Sequence, residues 1–408
     1  MQMLNNHHST IRRNEVMVTA MKLIFYASIL LAVFHAPVSE SKDLPVASSN
    51  PDAVGLPPIH NANQKPFPSG LYESGGPIQA PHFDTVARTQ NTDGQDGVLV
   101  RVHWDLCGND IDCLIDTIEL NLNTAESLGL KVALAVSDGH NVPPDVKDSC
   151  ELFSFLFQQQ SQTMCEVWDT NYLSAKAALI QLLGENFDDH PALGYVYFTT
   201  ACSTNGYEGH CRIDRNDYIA AGYTENVFDN SFAAIMQFYL DSFDTTPIVF
   251  EAHTIFNRTG MWESIWSSTA NSNQVGVAVW WCSERLSLRG NETLPVWPLV
   301  QTIAKATFAV CQTVGQFTQE PYRFSDSVLG FDYGLENDWD QTDVLNAFHD
   351  TIQWMSGLQT MGDQTENIAP FSVLEAWTED LKNPLFQDEL PAVLDILYIN
   401  SFESEGVN

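Results

Sequence analysis

The stretch LGYVYFTTACSTNGYEGHC occupies residues 193–211 and joins two kinds of sequence. Residues Leu193 to Phe198 form an aliphatic and aromatic run, and the polar residues that follow contain a single carboxylate, Glu208. A buried strand that opens into a polar loop carrying an acid is how α/β barrels present catalytic groups. Glu208 is therefore the first candidate for chemistry.

The residues before this stretch predict a strand, a helix and a second strand. Val98 to His103 reads as a strand, Asp110 to Leu128 has helical spacing that stops at Gly129, and Lys131 to Val136 reads as the next strand. This order makes a βαβ unit with parallel strands. Further strands are predicted within 65–84 and at 247–251, 275–281, 308–312, 328–332 and 371–375, and further helices at 171–183, 218–243 and 298–306. Residues 148–167 are predicted to be irregular.

Eight or nine strand candidates alternating with helices predict a (β/α)8 barrel with loop insertions, one domain spanning residues 67–408. A doubly wound fold is disfavoured because no glycine-rich phosphate loop follows the first strand. The same absence of a dinucleotide fingerprint predicts an enzyme without a cofactor.

The N-terminal residues predict export. Residues 1–41 read as an extension followed, from Met21, by a signal peptide: one Lys, an apolar run from Leu23 to Phe34, and small residues suited to cleavage between Ala36 and Ser41. The apolar run is short for a membrane-spanning helix, so we expect a secreted protein with no membrane attachment after cleavage. Residues 42–66 are rich in Pro, Asn, Ser and Ala and read as a linker or flexible tail.

The eight cysteines fit this compartment. Their proximity along the chain predicts the disulfides Cys107–Cys113, Cys150–Cys165 and Cys202–Cys211. No cysteine has a partner at zinc-ligand spacing, so no metal site is predicted. Two sequons, starting at Asn257 and Asn291, predict a glycoprotein.

The charge balance limits the partners. The chain carries 52 acidic and 18 basic residues, a formal net charge of −34. Nucleic acids and anionic membrane surfaces both need a positive footprint, so neither is expected as a partner. A neutral substrate suits the chain better.

Four predicted strand ends carry a carboxylate beside an aromatic residue or a histidine: Glu208, Glu251, Glu284 and Glu375. In a parallel barrel the carboxyl ends of all strands meet at one face, so distant acids can converge there. Glycoside hydrolysis needs two such carboxyl groups, and the flat rings of Trp and Tyr suit sugar rings. The predicted catalytic residues are Glu208, Glu375 and Glu251. The predicted substrate-binding residues are Trp104, Asp105, Asn205, Tyr207, His210, His253, Trp280, Trp281, Glu284 and Trp377.

Each candidate has a structural alternative. Glu251 and Glu375 lie inside strand ends, where a buried carboxylate needs a partner, so a structural ion pair with Arg101 or Arg285 is the alternative to a catalytic role. The tryptophans are equally suited to a barrel core. A serine hydrolase is disfavoured because no G-x-S-x-G elbow occurs, and a metallohydrolase is a weaker alternative because the histidines are single.

The segments GVLVRVHWD and AESLGLKVALAV, with the later prolines 143 and 144, resemble the opening of retaining glycoside hydrolases of the large (β/α)8-barrel clan, of β-galactosidase and cellulase type. The resemblance continues through residues 168–200 to NGYE, whose Glu208 matches the clan's acid/base position. Tyr207 stands before it, where the clan usually has Asn, and Asn205 lies two positions earlier. The resemblance also implies a nucleophile at the end of the seventh strand, for which Glu375 is preferred and Glu251 is the reserve.

These observations predict a secreted glycoside hydrolase that cleaves a poly- or oligosaccharide with two carboxylates. The alternative is a barrel that binds carbohydrate outside the cell without cleaving it. Fold alone does not decide between them.

Overall fold

The computed structural model describes residues 64–88, 94–157, 159–200, 213–269, 273–280, 282, 288–289, 292–293, 296–313, 315–325, 332–356 and 371–387. Its centre is a closed barrel of eight parallel strands, each paired with its neighbours in chain order and the first paired with the last. The strands are β1 Gly70–Ser74, β2 Gly97–His103, β3 Lys131–Ser137, β4 Leu193–Tyr197, β5 Ile248–Glu251, β6 Val275–Val279, β7 Ala309–Gln312 and β8 Val373–Trp377. The predicted (β/α)8 barrel is confirmed.

Helices surround this barrel: α1 Ile111–Leu128, α2 Pro144–Ser149, α3 Thr170–Phe187, α4 Arg215–Ala220, α5 Glu225–Ser242, α6 Gly260–Thr269, α7 Trp297–Ala306, α8 Gln341–Met355, α9 Thr378–Leu381 and α10 Pro384–Gln387. Short polar side chains set several of their starts. Asp110 and Asp169 accept backbone N–H groups at the first turns of α1 and α3, and Gly129 ends α1 in the left-handed region.

Side chains alternate between two cores along each strand. One cluster fills the barrel interior and includes Tyr72, Leu99, Ala133, Tyr195, Tyr197, Val249, Ala278, Val310 and Val373. The residues between them, such as Val98, Val132, Phe250 and Leu374, pack outward against the helices. This alternation decides which strand residues reach the interior.

Two predicted elements differ from the structure. The helix predicted over 218–243 is two helices, α4 and α5, because Gly222 has φ +93° and Thr224 accepts a backbone N–H to start α5. Residues 148–167, predicted to be irregular, contain an antiparallel hairpin, Leu152–Phe157 paired with Gln160–Cys165. Another short pair, Leu288–Arg289 with Glu292–Thr293, also lies outside the barrel.

Three disulfides lie in the described part of the chain. Cys107–Cys113 and Cys150–Cys165 confirm two of the predicted pairs, and Cys282–Cys311 joins the end of β6 to β7. The third predicted pair, Cys202–Cys211, lies outside the described residues. Within the described helices, none is both long and apolar enough to cross a membrane.

Candidate active site

The carboxyl end of the barrel interior is polar. Ser74, Arg101, Gln312, Glu251 and Glu375 are each at least 92 % buried, since none is more than 8 % exposed. All five follow the inward alternation of their strands, two residues beyond an interior residue in each case. The carboxyl end is also where (β/α)8 barrels place their active sites, so this polar layer forms the floor of the candidate site.

Glu375 is bound from the opposite side of the barrel. Its Oε1 accepts the hydroxyl groups of Tyr195 (2.7 Å) and Tyr197 (2.8 Å), which come from β4. In the closed strand order, β4 and β8 lie four strands apart in either direction. Two tyrosine side chains therefore cross the interior to reach one carboxylate.

The second oxygen of Glu375 is also engaged. Gln312 Nε2 donates to Glu375 Oε2 at 2.9 Å and to Ser74 Oγ at 2.9 Å, and Arg101 Nη2 donates to the same Ser74 Oγ at 2.8 Å. Burial raises the pKa of Glu375, while the two tyrosine hydroxyls and the charge of Arg101 act in the opposite direction. Arg101, the predicted ion-pair partner, thus acts on Glu375 through its charge, and Ser74 and Gln312 link the two side chains.

The strand numbering bears on the predicted nucleophile. β7 ends at Gln312, and the neighbouring Glu375 lies in β8. The position that the resemblance implies for the nucleophile, at the end of the seventh strand, therefore carries an amide. Glu375 as nucleophile stays a prediction.

Glu251 has a different environment at the end of β5. Its Oε1 accepts His253 Nδ1 at 2.7 Å, and the Glu251 side chain is 1 % exposed while that of His253 is 26 % exposed. Glu251 Oε2 is buried and has no hydrogen-bond partner among the described residues. The backbone of His253 is held by Trp262 Nε1, which donates to His253 O at 2.7 Å. A buried carboxylate oxygen without a donor is costly, and a catalytic role is one explanation for such a group in a folded protein.

Two of the other described candidates, Trp280 and Trp377, lie at strand ends. Trp377 is half-buried, and its Nε1 donates to Thr313 O at 3.3 Å; Trp280 is half-buried as well. Trp104 is 5 % exposed, with its ring 5.8 Å from Lys176 Nζ, so it packs in the outer core. Burial of the imidazole lowers the pKa of His103, and the negative charge of Asp105 opposes this shift. The roles of these residues in substrate binding stay predictions.

Six predicted site residues lie outside the described residues: Asn205, Tyr207, Glu208, His210, Trp281 and Glu284. In the described ranges, no group of three His, Cys, Asp or Glu side chains is arranged to hold a metal ion.

A fully buried ion pair, not foreseen from the sequence, joins α3 to the residue that follows β3. Lys176 Nζ bonds to Asp138 Oδ2 at 2.9 Å and donates to Thr199 Oγ1 at 2.8 Å, and Tyr172 OH donates to the same Asp138 oxygen at 2.6 Å. Both charged side chains are 0 % exposed. The pair ties α3 to the residues that directly follow β3 and β4.

The sequence does carry a signal for this pair. Lys176 occupies the buried stripe of α3, together with Tyr172, Leu179, Ile180 and Leu183. A lysine on an apolar helix stripe needs a buried partner, so the pattern predicts a carboxylate nearby without identifying it.

Comparison with known proteins gives likenesses of fold. No protein-family model matches the chain, and no curated protein matches it. Several solved structures are similar to it. An endoglucanase from Pseudomonas stutzeri is 11 % identical, with 80 % of this chain and 93 % of that one covered and a TM-score of 0.42. Endo-glycoceramidase II from Rhodococcus sp. is 11 % identical, with coverages of 79 % and 77 % and a TM-score of 0.44.

A β-galactosidase from the psychrophilic Marinomonas ef1 is also 11 % identical, over 83 % of this chain and 61 % of that one, with a TM-score of 0.42. The fold that the sequence resemblance implied is confirmed by the closed barrel of eight parallel strands itself. Identities and TM-scores this low say nothing about the chemistry of this chain.

Proposed function

We propose that this chain is a glycoside hydrolase that cleaves a neutral poly- or oligosaccharide at the carboxyl end of its barrel. Glu208 protonates the leaving oxygen, and Glu251 supplies the second carboxylate. The observation that carries the proposal is Glu251 itself: a buried carboxylate at a strand end with one oxygen held by His253 and the other without a partner among the described residues.

The choice of Glu251 over Glu375 rests on their partners. Glu375 accepts three hydrogen bonds through both oxygens, and these bonds stabilise the charged carboxylate and lower its basicity. Glu251 Oε2 is buried as well, but it has no hydrogen bond among the described residues that would have to break before it reacts. His253 contributes orientation, since its Nδ1–H group fixes the rotation of the carboxylate through Oε1.

The two carboxylates define the reaction's outcome through their separation. About 5 to 5.5 Å makes Glu251 a nucleophile with retention, and about 6.5 to 9.5 Å makes it a base that activates water with inversion. The proposal includes secretion, which the disulfides Cys107–Cys113, Cys150–Cys165 and Cys282–Cys311 support because such bonds persist in oxidising compartments.

A second candidate function is carbohydrate binding without cleavage. Gln312 favours it, because an amide at the end of β7 cannot act as a nucleophile or base. In that case the half-buried tryptophans at the strand ends, Trp280 and Trp377, form the binding surface.

The test is a screen of aryl glycosides and neutral polysaccharides with purified wild-type protein, Glu208→Gln and Glu251→Gln. Glu119→Gln, which changes an exposed carboxylate on α1, is the matched control. We expect turnover by the wild type and the control and a loss of at least about a hundredfold in each of the other two variants. Wild-type rates in Glu208→Gln remove Glu208 from the mechanism. Sugar binding without any turnover in the wild type selects the second candidate.

A further inference from the structure

A turn in the connection from β7 to α8 presents apolar side chains to solvent. Leu335 is 71 % exposed and Trp339 is 36 % exposed, the most exposed of the tryptophans that the structure describes. Large apolar side chains grouped at the surface mark contact sites more often than isolated ones do. The pair therefore needs a physical account.

Two backbone hydrogen bonds close the turn. Leu335 N donates to Asp338 O at 3.1 Å, and Asp338 N donates to Leu335 O at 2.9 Å. Gly334 has φ +81°, and a Cβ there would lie 2.8 Å from Trp339 Cβ and 2.5 Å from Asp338 O. Trp339 thus packs over a position that only glycine fits.

The next residue fixes the start of α8. Asp340 accepts the backbone N–H groups of Thr342 and Asp343, and the Asp343 side chain accepts Asp340 N. Because the turn follows a barrel strand and precedes a helix, it lies on the same carboxyl face as the polar layer. It contributes no residue to the cluster that fills the barrel interior. It is a separate part of that face.

The charge of the turn selects among ligands. Residues 332–340 contain four carboxylates, Asp332, Glu336, Asp338 and Asp340, and no Lys or Arg. An anionic polymer is repelled by them. A neutral sugar offers an apolar ring face to the indole and hydroxyl donors to the carboxylates.

We propose that the Leu335–Trp339 turn binds a pyranose ring of a neutral polysaccharide, as a subsite separate from the barrel interior. The inference rests on the proposed function for its ligand class and deepens it. It implies that the substrate is a polymer long enough to reach the rim of the face as well as the catalytic carboxylates.

The test is native electrophoresis in gels that contain hydroxyethylcellulose, mixed-linkage β-glucan or galactomannan, with polygalacturonate gels as the anionic comparison. We expect a neutral polymer to retard the wild-type protein. Trp339→Ala should weaken this retention about tenfold, which is about 1.4 kcal/mol, and Trp339→Phe should restore part of it. Leu335→Ala should weaken it less. Leu156→Ala changes a side chain of matching exposure, 70 %, on the hairpin and should leave retention unchanged. Thermal unfolding checks that each variant is folded.

Several results overturn the proposal: no retention of the wild type by any of the neutral polymers, wild-type retention of folded Trp339→Ala, or stronger retention by polygalacturonate. Binding to an immobilised oligolysine peptide that depends on Trp339 also overturns it in favour of a basic protein partner. Hydrolysis is assayed separately. If the protein cleaves polysaccharide but its retention does not depend on Trp339, only this inference fails. If retention depends on Trp339 but the protein cleaves no glycoside, only the proposed hydrolysis fails.

Discussion

Glu251 and Glu375 are the same residue type on the inner face of the same barrel, and their partners give them different capacities. Glu375 accepts from three donors, while Glu251 has one oxygen left over among the described residues. Sequence patterns place both at strand ends. The donors that distinguish them come from β4 and β7, which are remote in sequence, so only the three-dimensional structure separates the two.

His253 provides a test of how Glu251 is held. We expect His253→Ala to lower kcat about tenfold to a hundredfold with little change in KM, because the Glu251 carboxylate loses the donor that sets its orientation. His253→Asn keeps a donor near Oε1 and should recover part of the rate. Steady-state kinetics on the best aryl glycoside measure both variants, and a wild-type kcat in His253→Ala contradicts the role.

The Glu375 network should be measurable as stability. Glu375→Leu leaves the hydroxyls of Tyr195 and Tyr197 and the Gln312 amide without their shared acceptor, and we expect a loss of about 3 kcal/mol in the free energy of unfolding. Tyr197→Phe removes one donor of three and should cost about 1 kcal/mol.

Urea unfolding with intact disulfides gives the free energy of unfolding of both variants. The double variant Glu375→Leu/Tyr197→Phe completes the double-mutant cycle. Since the hydroxyl and the carboxylate contact each other, the double variant should lose less than the sum of the single losses. Strict additivity would mean that the cross-barrel contact contributes no stability.

At the scale of elements, the buried pair of Lys176 and Asp138 joins α3 to the ends of β3 and β4. Lys176→Met leaves a buried carboxylate unpaired, and we expect it to destabilise the protein by about 4 kcal/mol. Lys176→Met combined with Asp138→Leu removes both charges and should be the more stable of the two variants. A double variant less stable than Lys176→Met contradicts this account of the pair.

The contact between α9 and the connection after β7 should make the stability of the protein depend on pH. Asp380 in α9 accepts Phe317 N, Thr318 N and Thr318 Oγ1 from the connection after β7, at 2.8, 2.9 and 2.7 Å. Burial raises its pKa to about 6, although these hydrogen bonds act against the rise. The native state therefore holds a proton that the unfolded state has already released between about pH 4 and pH 6.

As the pH rises from about 4 to about 6, the titration of Asp380 should lower the free energy of unfolding by about 3 kcal/mol. Above about pH 6, Asp380 should contribute no further pH dependence to the stability. Asp380→Asn removes the titration. We expect the difference in unfolding free energy between wild type and variant to change with pH across this window and to be constant above about pH 7. Urea unfolding at several pH values measures it, and a constant difference throughout contradicts the raised pKa.

Elements were predictable where local patterns decide them. Strands and helices such as β3 and α1 follow from apolar periodicity and from Asp110 and Gly129 at the helix ends. The break at Gly222 was missed because apolar spacing continues across it, and the hairpin at 152–165 because its cross-strand pairing is not visible in periodicity. The strand predicted at 328–332 lies mostly outside the described residues.

For the whole molecule, the sequence predicts a closed parallel barrel because strand and helix signals alternate along most of the chain. Closure also explains why acids as distant as Glu251 and Glu375 share one interior. It does not explain which of them reacts, since that depends on the hydrogen bonds each one makes.

The most direct measurement is the hydrolysis of aryl glycosides by Glu251→Ala with and without added azide, alongside wild type and Glu375→Ala. We predict that Glu251→Ala loses at least about a hundredfold in kcat/KM, and that azide restores turnover by entering the space left by the carboxylate. Glu375→Ala should lose stability and should not respond to azide. Wild-type turnover by folded Glu251→Ala, or azide rescue of Glu375→Ala in its place, would contradict the assignment of Glu251.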